Sequence, residues 1–324
     1  VKKILWPSII LILLVIYFTN IYHFLSDSHP VDADVLIVEG WLQPELFDEI
    51  IEEFNSKNYK FIATTGVPFI PEFRMPYSGS LIFNLSNDFE LEEASSYTIE
   101  VNAYSTVVKN VYAKMGLLVN DSLITEVETS ANSKTYSTST ILPNSKINTI
   151  AIRFMNDAID NGEDRDLIVI DLKVNGKKYL PRSEGVLYDR GKPGGDDIYS
   201  ANFKSVAEEA ALLLQKKGIN RNRVIFIPSE EMEINRTYNS ALAFGKWLNT
   251  YPNLKELKGI NVISTGTHAR RSWILFKQHI QADIPVGIIS LKSVYTPDEN
   301  WWKSSTGIKN VLIESIKYVY TLFL

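Results

Sequence analysis

The chain contains no cysteine. That absence excludes disulfides, thiolate zinc or iron–sulfur sites, a cysteine nucleophile and a lipoprotein cysteine. It also lacks any run of Lys and Arg. Thirty-three bases face 38 acids, for a formal net charge of −5, and without a basic stripe nucleic acid is excluded as a partner. No G-x-G-x-x-G, Walker loop, G-x-S-x-G elbow or H-E-x-x-H occurs, so the commonest nucleotide, serine-hydrolase and zincin routes lack support. What is present is ordinary globular material, 45% hydrophobic and 22% charged over 324 residues. That length suits about two domains of roughly 150 residues each.

The longest apolar run lies near the start. Ile4 to Ser26 is 23 residues without a formal charge, flanked by Lys2 and Lys3 before it and by Asp27 and Asp32 after it. About 20 helical residues cross a ~30 Å hydrocarbon core. The expectation is therefore a transmembrane anchor over residues 1–26, with the N-terminus in the cytoplasm and the bulk of the chain on the extracytoplasmic side by the positive-inside rule. Trp6, Tyr17 and Tyr22 fall near its two ends, at headgroup level. A cleaved signal peptide needs a small-x-small site that does not follow. A buried core helix needs an apolar stripe, whereas this run is apolar all round.

Beyond it, short apolar runs alternate with helical stripes. Asp34–Val38, Tyr59–Ala63, Arg223–Ile227, Asn261–Ser264 and Pro285–Ser290 read as buried parallel strands. Stripes such as Leu46, Phe47, Ile50, Ile51 and Phe54 read as the helices between them. The expected class is α/β, a doubly wound parallel sheet of about five strands built from residues 33–66 and 200–324. Between residues 67 and 199 the period changes to two, as at Ile150, Ile152 and Phe154, with Asn, Asp, Gly and Ser clusters between runs. That pattern predicts an inserted all-β sandwich, since some 130 residues are too many for a structureless loop.

In such open sheets ligands lie beyond the C-terminal strand ends, where helix N-termini offer N–H donors. The polar clusters fall there: Glu39-Gly40-Trp41, Thr64-Thr65-Gly66, Asn235 to Asn239 with Thr237, and Thr265 to Arg271 with His268. Glycines admit a close backbone approach, hydroxyls and amides orient a ligand, and His268 with Arg271 suits an anion. If the pocket is catalytic, His268, Arg271 and Glu39 are the candidates, with His268 as acid/base. Asn235 or Thr237 capping a helix, and solvated Arg270 and Arg271, are the competing readings.

These residues, Asn235-Arg236-Thr237-Tyr238-Asn239-Ser240-Ala241 and then Thr265, His268 and Arg271, resemble the motifs of the YdcF/SanA/ElyC-like family of bacterial envelope proteins. The resemblance implies a Rossmann-like domain behind a membrane segment, associated with envelope polysaccharide metabolism. It assigns no cofactor to the α/β part.

Within the insert, Asp157, Asp160, Glu163, Asp164 and Asp166 crowd a Gly-containing stretch between two runs of strand character. Hard oxygen ligands on a flexible loop suit Ca²⁺; a solvated acidic turn is the alternative. The order Thr98–Ala103, Phe154-x-Asn156-Asp157, Asp164-Arg165-Asp166-Leu167 and Val174-Asn175-Gly176 resembles the calcium-dependent, xylan-binding carbohydrate-binding modules. Those are jelly rolls whose Ca²⁺ touches vicinal sugar hydroxyls. The resemblance implies Asp157 and Asp164 as ligands, with Asp160 and Asp166 beside them, and a carbohydrate partner. Tyr188 and Tyr104 are candidates for stacking on the sugar. The joint expectation is an anchored envelope protein that binds glycan through the insert and acts on or senses an envelope polysaccharide or anionic precursor in the α/β pocket. A non-enzymatic scaffold is the alternative.

Overall fold

Val35–Glu39 (β1) is buried at every position, as a strand flanked by partners on both edges must be. The computed structural model describes residues 17–324 apart from 91–93, 144–145, 161–162, 192–197, 231–234, 253, 281–282 and 293–297. After β1, Pro44 opens a short 3-10 turn that runs into α1 (Phe47–Ser56), which buries Phe47, Ile50 and Phe54 on one face. The strand β2 (Phe61–Gly66) follows. The chain then leaves this unit after Pro68 and returns at Ser205, so that residues 69–204 form a second unit of their own.

That second unit is made of strands. They are β3 (Phe73–Met75), β4 (Gly79–Asn84), β5 (Ala94–Ser105), β6 (Lys114–Val119), β7 (Ser122–Glu128), β8 (Lys134–Pro143), β9 (Thr149–Phe154), β10 (Ile159–Asp160), β11 (Glu163–Asp164), β12 (Leu167–Val174), β13 (Lys177–Tyr179), β14 (Val186–Asp189) and β15 (Ile198–Ser200). One sheet runs β13-β12-β5-β8 with β3 also on β12, and another runs β15-β14-β4-β9-β6-β7; the paired strands are antiparallel. Two hairpins use left-handed backbone at both turn residues, Asn120-Asp121 and Asn175-Gly176, the residues that tolerate this conformation best. Alternation fills the interior: Ile99, Val101 and Ala103 of β5 and Ile150, Ile152 and Phe154 of β9 are buried. Phe73 of one sheet meets Tyr188 of the other with ring centroids 5.0 Å apart. The short pair β10–β11 stands apart as a ribbon and carries part of the acidic stretch.

The return to the first unit is marked by a helix N-cap. The Ser205 hydroxyl accepts from the Glu208 N–H at the start of α2 (Val206–Lys216), satisfying a donor that the helix itself cannot. There follow β16 (Val224–Pro228), α3 (Arg236–Leu248), β17 (Ile260–Thr265), α4 (Ala269–His279), β18 (Val286–Leu291) and α5 (Ser305–Thr321). The sheet order is β16-β2-β1-β17-β18, with every pair parallel. Its core joins Val35, Ile37, Ala63 and Val262 to Phe244 of α3 and Phe276 of α4. A smaller core packs Tyr22 and Leu25 against Trp301 and Val311.

The expected class, a Rossmann-like α/β fold with an N-terminal transmembrane helix, is corrected. Strand makes up 37% of the described residues, and most strands belong to the antiparallel sheets of residues 69–204. The chain is therefore mainly β, with a few helices. The pattern outside the insert had set the expectation, but it does not set the balance of the whole. Most of the proposed anchor, residues 4–16, lies outside the described residues. Residues 17–25 are helical, yet Tyr22 and Leu25, three apart, are buried against protein. That is the stripe of a packed helix, not the uniform surface of a membrane span. No helix among the described residues is long and apolar enough to cross a membrane.

Candidate functional site

In the first unit a cavity of about 580 Å³ opens at the C-terminal ends of the parallel strands, within the size range of small-ligand sites. Trp41 follows β1, Gly66 ends β2, Asn235 to Tyr238 and Ser240 come from the start of α3, His268 and Arg271 begin α4, and Lys317 and Tyr320 come from α5. Asn235 takes the N-cap place of α3 in left-handed backbone (φ 62°), and its side chain makes no capping bond. The amide therefore lines the cavity without closing the helix end.

Beside the cavity lies an ion network built around a buried acid. Glu314 of α5 is 2% exposed. Its Oε2 accepts from Arg271 Nε at 2.7 Å and its Oε1 pairs with Lys317 Nζ at 2.9 Å. His268 Nδ1 stands 3.3 Å from Arg271 Nη2 and 3.4 Å from Glu314 Oε2. Burial would raise the Glu314 carboxyl, but His268, Arg271 and Lys317 outweigh it and hold it below the ordinary range. Burial drives His268 the other way, down to about 4; the Glu314 charge opposes that shift while Arg271 and Lys317 add to it. The imidazole is neutral at pH 7, and Arg271 donates to its Nδ1.

Glu39 lies beneath this layer and does not line the cavity. Its Oε1 accepts from Trp41 Nε1 at 3.1 Å and its Oε2 from the Ser272 hydroxyl at 2.7 Å. Burial raises its carboxyl, against hydrogen bonds from Ser264, Ser272 and Trp41 and the charge of Arg271. Through Trp41, whose ring lies 5.0 Å from that of His268, Glu39 positions a wall of the cavity.

The cavity thus brings together His268, Arg271, Gly66, Asn235 and Thr237. The other candidate positions lie outside its lining. A Cβ on Gly40 would sit 2.6 Å from the Val206 carbonyl oxygen, so close packing of α2 demands that glycine. The Thr64 hydroxyl donates to the Ala207 carbonyl at 2.7 Å, and that of Thr65 is buried without a partner. Thr265 Oγ1 donates to the Leu291 carbonyl at 3.3 Å, and Asn239 is buried in α3. Sequence reasoning missed Glu314 and Lys317. The available signal was a carboxylate at the i+3 position of the buried stripe Gly307, Val311, Glu314 and Thr321.

The second unit holds the acidic cluster. Asp166, fully buried, accepts from Arg74 through Oδ2, from Nε at 2.8 Å and also from Nη2. Its Oδ1, and the Oδ1 atoms of Asp157 and Asp164, are buried with no partner among the described residues. Burial and the Asp166 and Asp157 charges push Asp164 up to about 7 against Arg74. Asp157 is raised by burial and by Asp166, and Asp166 is raised by burial despite Arg74. Asp160 is paired with Lys109 at 3.0 Å. Arg165 lowers Asp157 through its charge without offsetting burial and Asp166, and it clamps the backbone carbonyls of Val108, Val111 and Asn156. Thr106 ties the strand ends together, donating to the Asp164 carbonyl at 2.6 Å and accepting from the Asp166 N–H at 2.7 Å. Among the described residues no group of three or more His, Asp or Glu is already arranged to hold a metal. The donor chemistry nonetheless suits a hard cation, because three carboxylates that raise one another stay raised despite the charges of Arg74 and Arg165. Of the stacking candidates, Tyr188 is 2% exposed and packed on Phe73 and Tyr199, whereas Tyr104 is half-buried.

Residues 98–189, inside this unit, match the family of Ca-dependent, xylan-binding carbohydrate-binding modules, CBM60. Among solved structures, vCBM60, one of the calcium-dependent carbohydrate-binding modules, is 25% identical over 26% of this chain and 61% of its own length, with a TM-score of 0.22. The same module in complex with galactobiose is 22% identical over 26% of this chain and 69% of its own, TM-score 0.21. A PA14 sugar-binding domain from an RTX adhesin is 19% identical over 31% of this chain and 48% of its own, TM-score 0.19. No curated protein matches the chain.

Proposed function

We propose that the chain is a glycan-binding protein of the bacterial envelope, working on the extracytoplasmic side, whose second unit takes carbohydrate in a calcium-dependent way. One observation carries this reading: the stretch matching the xylan-binding modules contains the three carboxylates with orphaned oxygens. Asp157 and Asp164 would hold the ion, Asp166 would add a third carboxylate, and Asp160, already paired with Lys109, would contribute least. Bound Ca²⁺ supplies a hard positive centre for vicinal sugar hydroxyls. This chain's own part is to keep the carboxylates dry and converging, with Arg165 and Thr106 fixing the backbone that bears them.

The first unit, by its resemblance to the YdcF/SanA/ElyC-like envelope proteins, binds an anionic saccharide or precursor in its cavity. Arg271, Lys317 and the opening of α3 provide the positive side. A neutral His268 with a pKa of about 4 has no proton to give as a general acid at pH 7. That removes the imidazolium general-acid role at pH 7 and leaves binding, sensing or general-base chemistry to this cavity.

The test is calorimetric titration of Ca²⁺ into the full chain, followed by a glycan-array screen with and without EDTA. The expected result is saturable calcium binding that weakens by a factor on the order of 10–100 or more in Asp157→Ala and Asp164→Ala, with sugar binding lost in EDTA. Absence of calcium heat, or sugar binding indifferent to EDTA, overturns the reading.

A further inference from the structure

Helix α5 turns an apolar face outward. Ile308, Leu312, Ile316, Val319 and Tyr320 are 38%, 41%, 70%, 53% and 53% exposed. Their three- and four-residue spacing places them on one side of the helix. The opposite side buries Gly307, Val311, Glu314 and Thr321. The face extends onto the helix of residues 17–25, which lies alongside: the Tyr17 hydroxyl donates to Ser315 Oγ at 2.9 Å, Phe18 stacks on Trp301, and Phe24 meets Tyr318 edge-on. Phe18, Phe24 and the adjoining Trp302 are themselves exposed. Scattered apolar residues on a surface need no account, but a contiguous patch on two packed helices does.

The charges on this face have one sign. The lone carboxylate of α5, Glu314, is buried and paired with Lys317 at the cavity, while Lys309 on the outward side is exposed, as is Lys303 just before the helix. A second copy docked face to face by a two-fold axis would set lysines against lysines with no acid of α5 to meet them. Anionic phospholipid headgroups meet them directly.

We propose that the outward face of α5, with Phe18, Phe24 and Trp302, lies in the surface layer of a bilayer containing anionic lipid, with the helix in the membrane plane. Apolar side chains enter the headgroup boundary and the lysines reach the phosphates. This contact does not depend on the glycan reading. It names the surface through which an envelope location is realised.

The experiment uses the full chain in EDTA, so that failure of the calcium reading leaves it untouched. Partition is measured by sedimentation with vesicles of phosphatidylcholine alone and of phosphatidylcholine with phosphatidylglycerol. The double variant Ile316→Glu, Val319→Glu is expected to partition at least about tenfold more weakly on both vesicles. Lys309→Glu is expected to lose roughly fivefold or more on the anionic vesicles and little on the neutral ones. These positions are exposed, so tryptophan emission and melting temperature stay as in the parent and report an intact fold. Equal partition of parent and double variant overturns the proposal, because binding then runs through another segment. So does a double variant that merely turns a self-associated chain into a monomer while the parent ignores vesicles, because the face is then an interface between copies.

Discussion

Both units bury carboxylates, and they do so in opposite ways. Glu314 sits among Arg271, Lys317 and His268, with both oxygens engaged, and its carboxyl is held below the ordinary range. Asp157, Asp164 and Asp166 have only Arg74 and Arg165 to oppose their burial and mutual repulsion, each keeps one buried oxygen without a partner among the described residues, and all three are raised. The first cluster is complete within the chain. The second carries a deficit of positive charge that repulsion makes costly and that a divalent cation would remove. The difference separates an acid whose charge is met within the chain from acids whose charge the described residues leave largely unmet.

The largest effects should fall on the completed cluster. Glu314→Ala leaves Arg271 and Lys317 without their acid, and the loss of one partner from a buried pair costs about 3–5 kcal/mol. All six tryptophans lie outside residues 69–204, so denaturant unfolding followed by tryptophan emission reads the first unit alone. Asp164→Asn in metal-free buffer should behave oppositely, leaving the second unit as stable or more so by the far-UV strand signal. Calcium should reverse that ordering. At a hundredfold over Kd the parent gains about 2.7 kcal/mol, which Asp164→Asn largely forgoes. If both substitutions destabilise alike without metal, the contrast fails.

Acidity should tilt the two units in opposite directions. The folded pKa of His268, about 4, lies below the ordinary value near 6.5, so the folded state binds fewer protons between them. Stability of the first unit therefore rises as pH climbs from about 4 to 6.5. Glu314, lowered, adds stability that is present above its unfolded pKa and lost as pH falls through the folded one. Asp164, raised to about 7, keeps a proton in the folded state that the unfolded chain has released. The second unit in EDTA should lose stability as pH rises from about 4 to 7. Melting followed by tryptophan emission and by strand signal at several pH values tests this, and parallel slopes would remove the proposed distinction.

Legibility in the sequence followed the range of the interactions. Apolar runs such as Val35–Val38 and Ile260–Ser264 are strands because every position is buried, a property their composition already carries. The acidic stretch was visible because its residues are neighbours in the chain. The class of the whole was set by the alternating pattern of residues 33–66 and 200–324, although the insert, already read as strands, supplies the longest of them, β5 at 12 residues and β8 at 10. The segment 17–25 read as uniformly apolar because its packing partners, Trp301 and Val311, lie nearly three hundred residues away. Glu314 was missed for the same reason: Arg271, 43 positions distant, is what makes a buried carboxylate tolerable there. Glu39 was singled out for ending an apolar strand, but only the structure places Ser272 and Trp41 on its oxygens and so moves it from the cavity to the layer below.

Glu39 supplies the smallest and sharpest test, because it is buried like Glu314 but partnered like neither cluster. Its donors are an indole N–H and a hydroxyl, and burial leaves its carboxyl raised. A raised carboxyl loses little when replaced by its neutral isostere. Glu39→Gln keeps an oxygen for Trp41 or Ser272 and should change the stability of the first unit by no more than about 1 kcal/mol, against the several lost in Glu314→Ala. Tryptophan emission should also keep its position, because Trp41 stays bonded beside His268. A loss as large as that of Glu314→Ala would mean that Glu39 is needed as an anion. In that case Arg271 serves two carboxylates at once, and the boundary drawn between the completed cluster and the cavity wall would have to move.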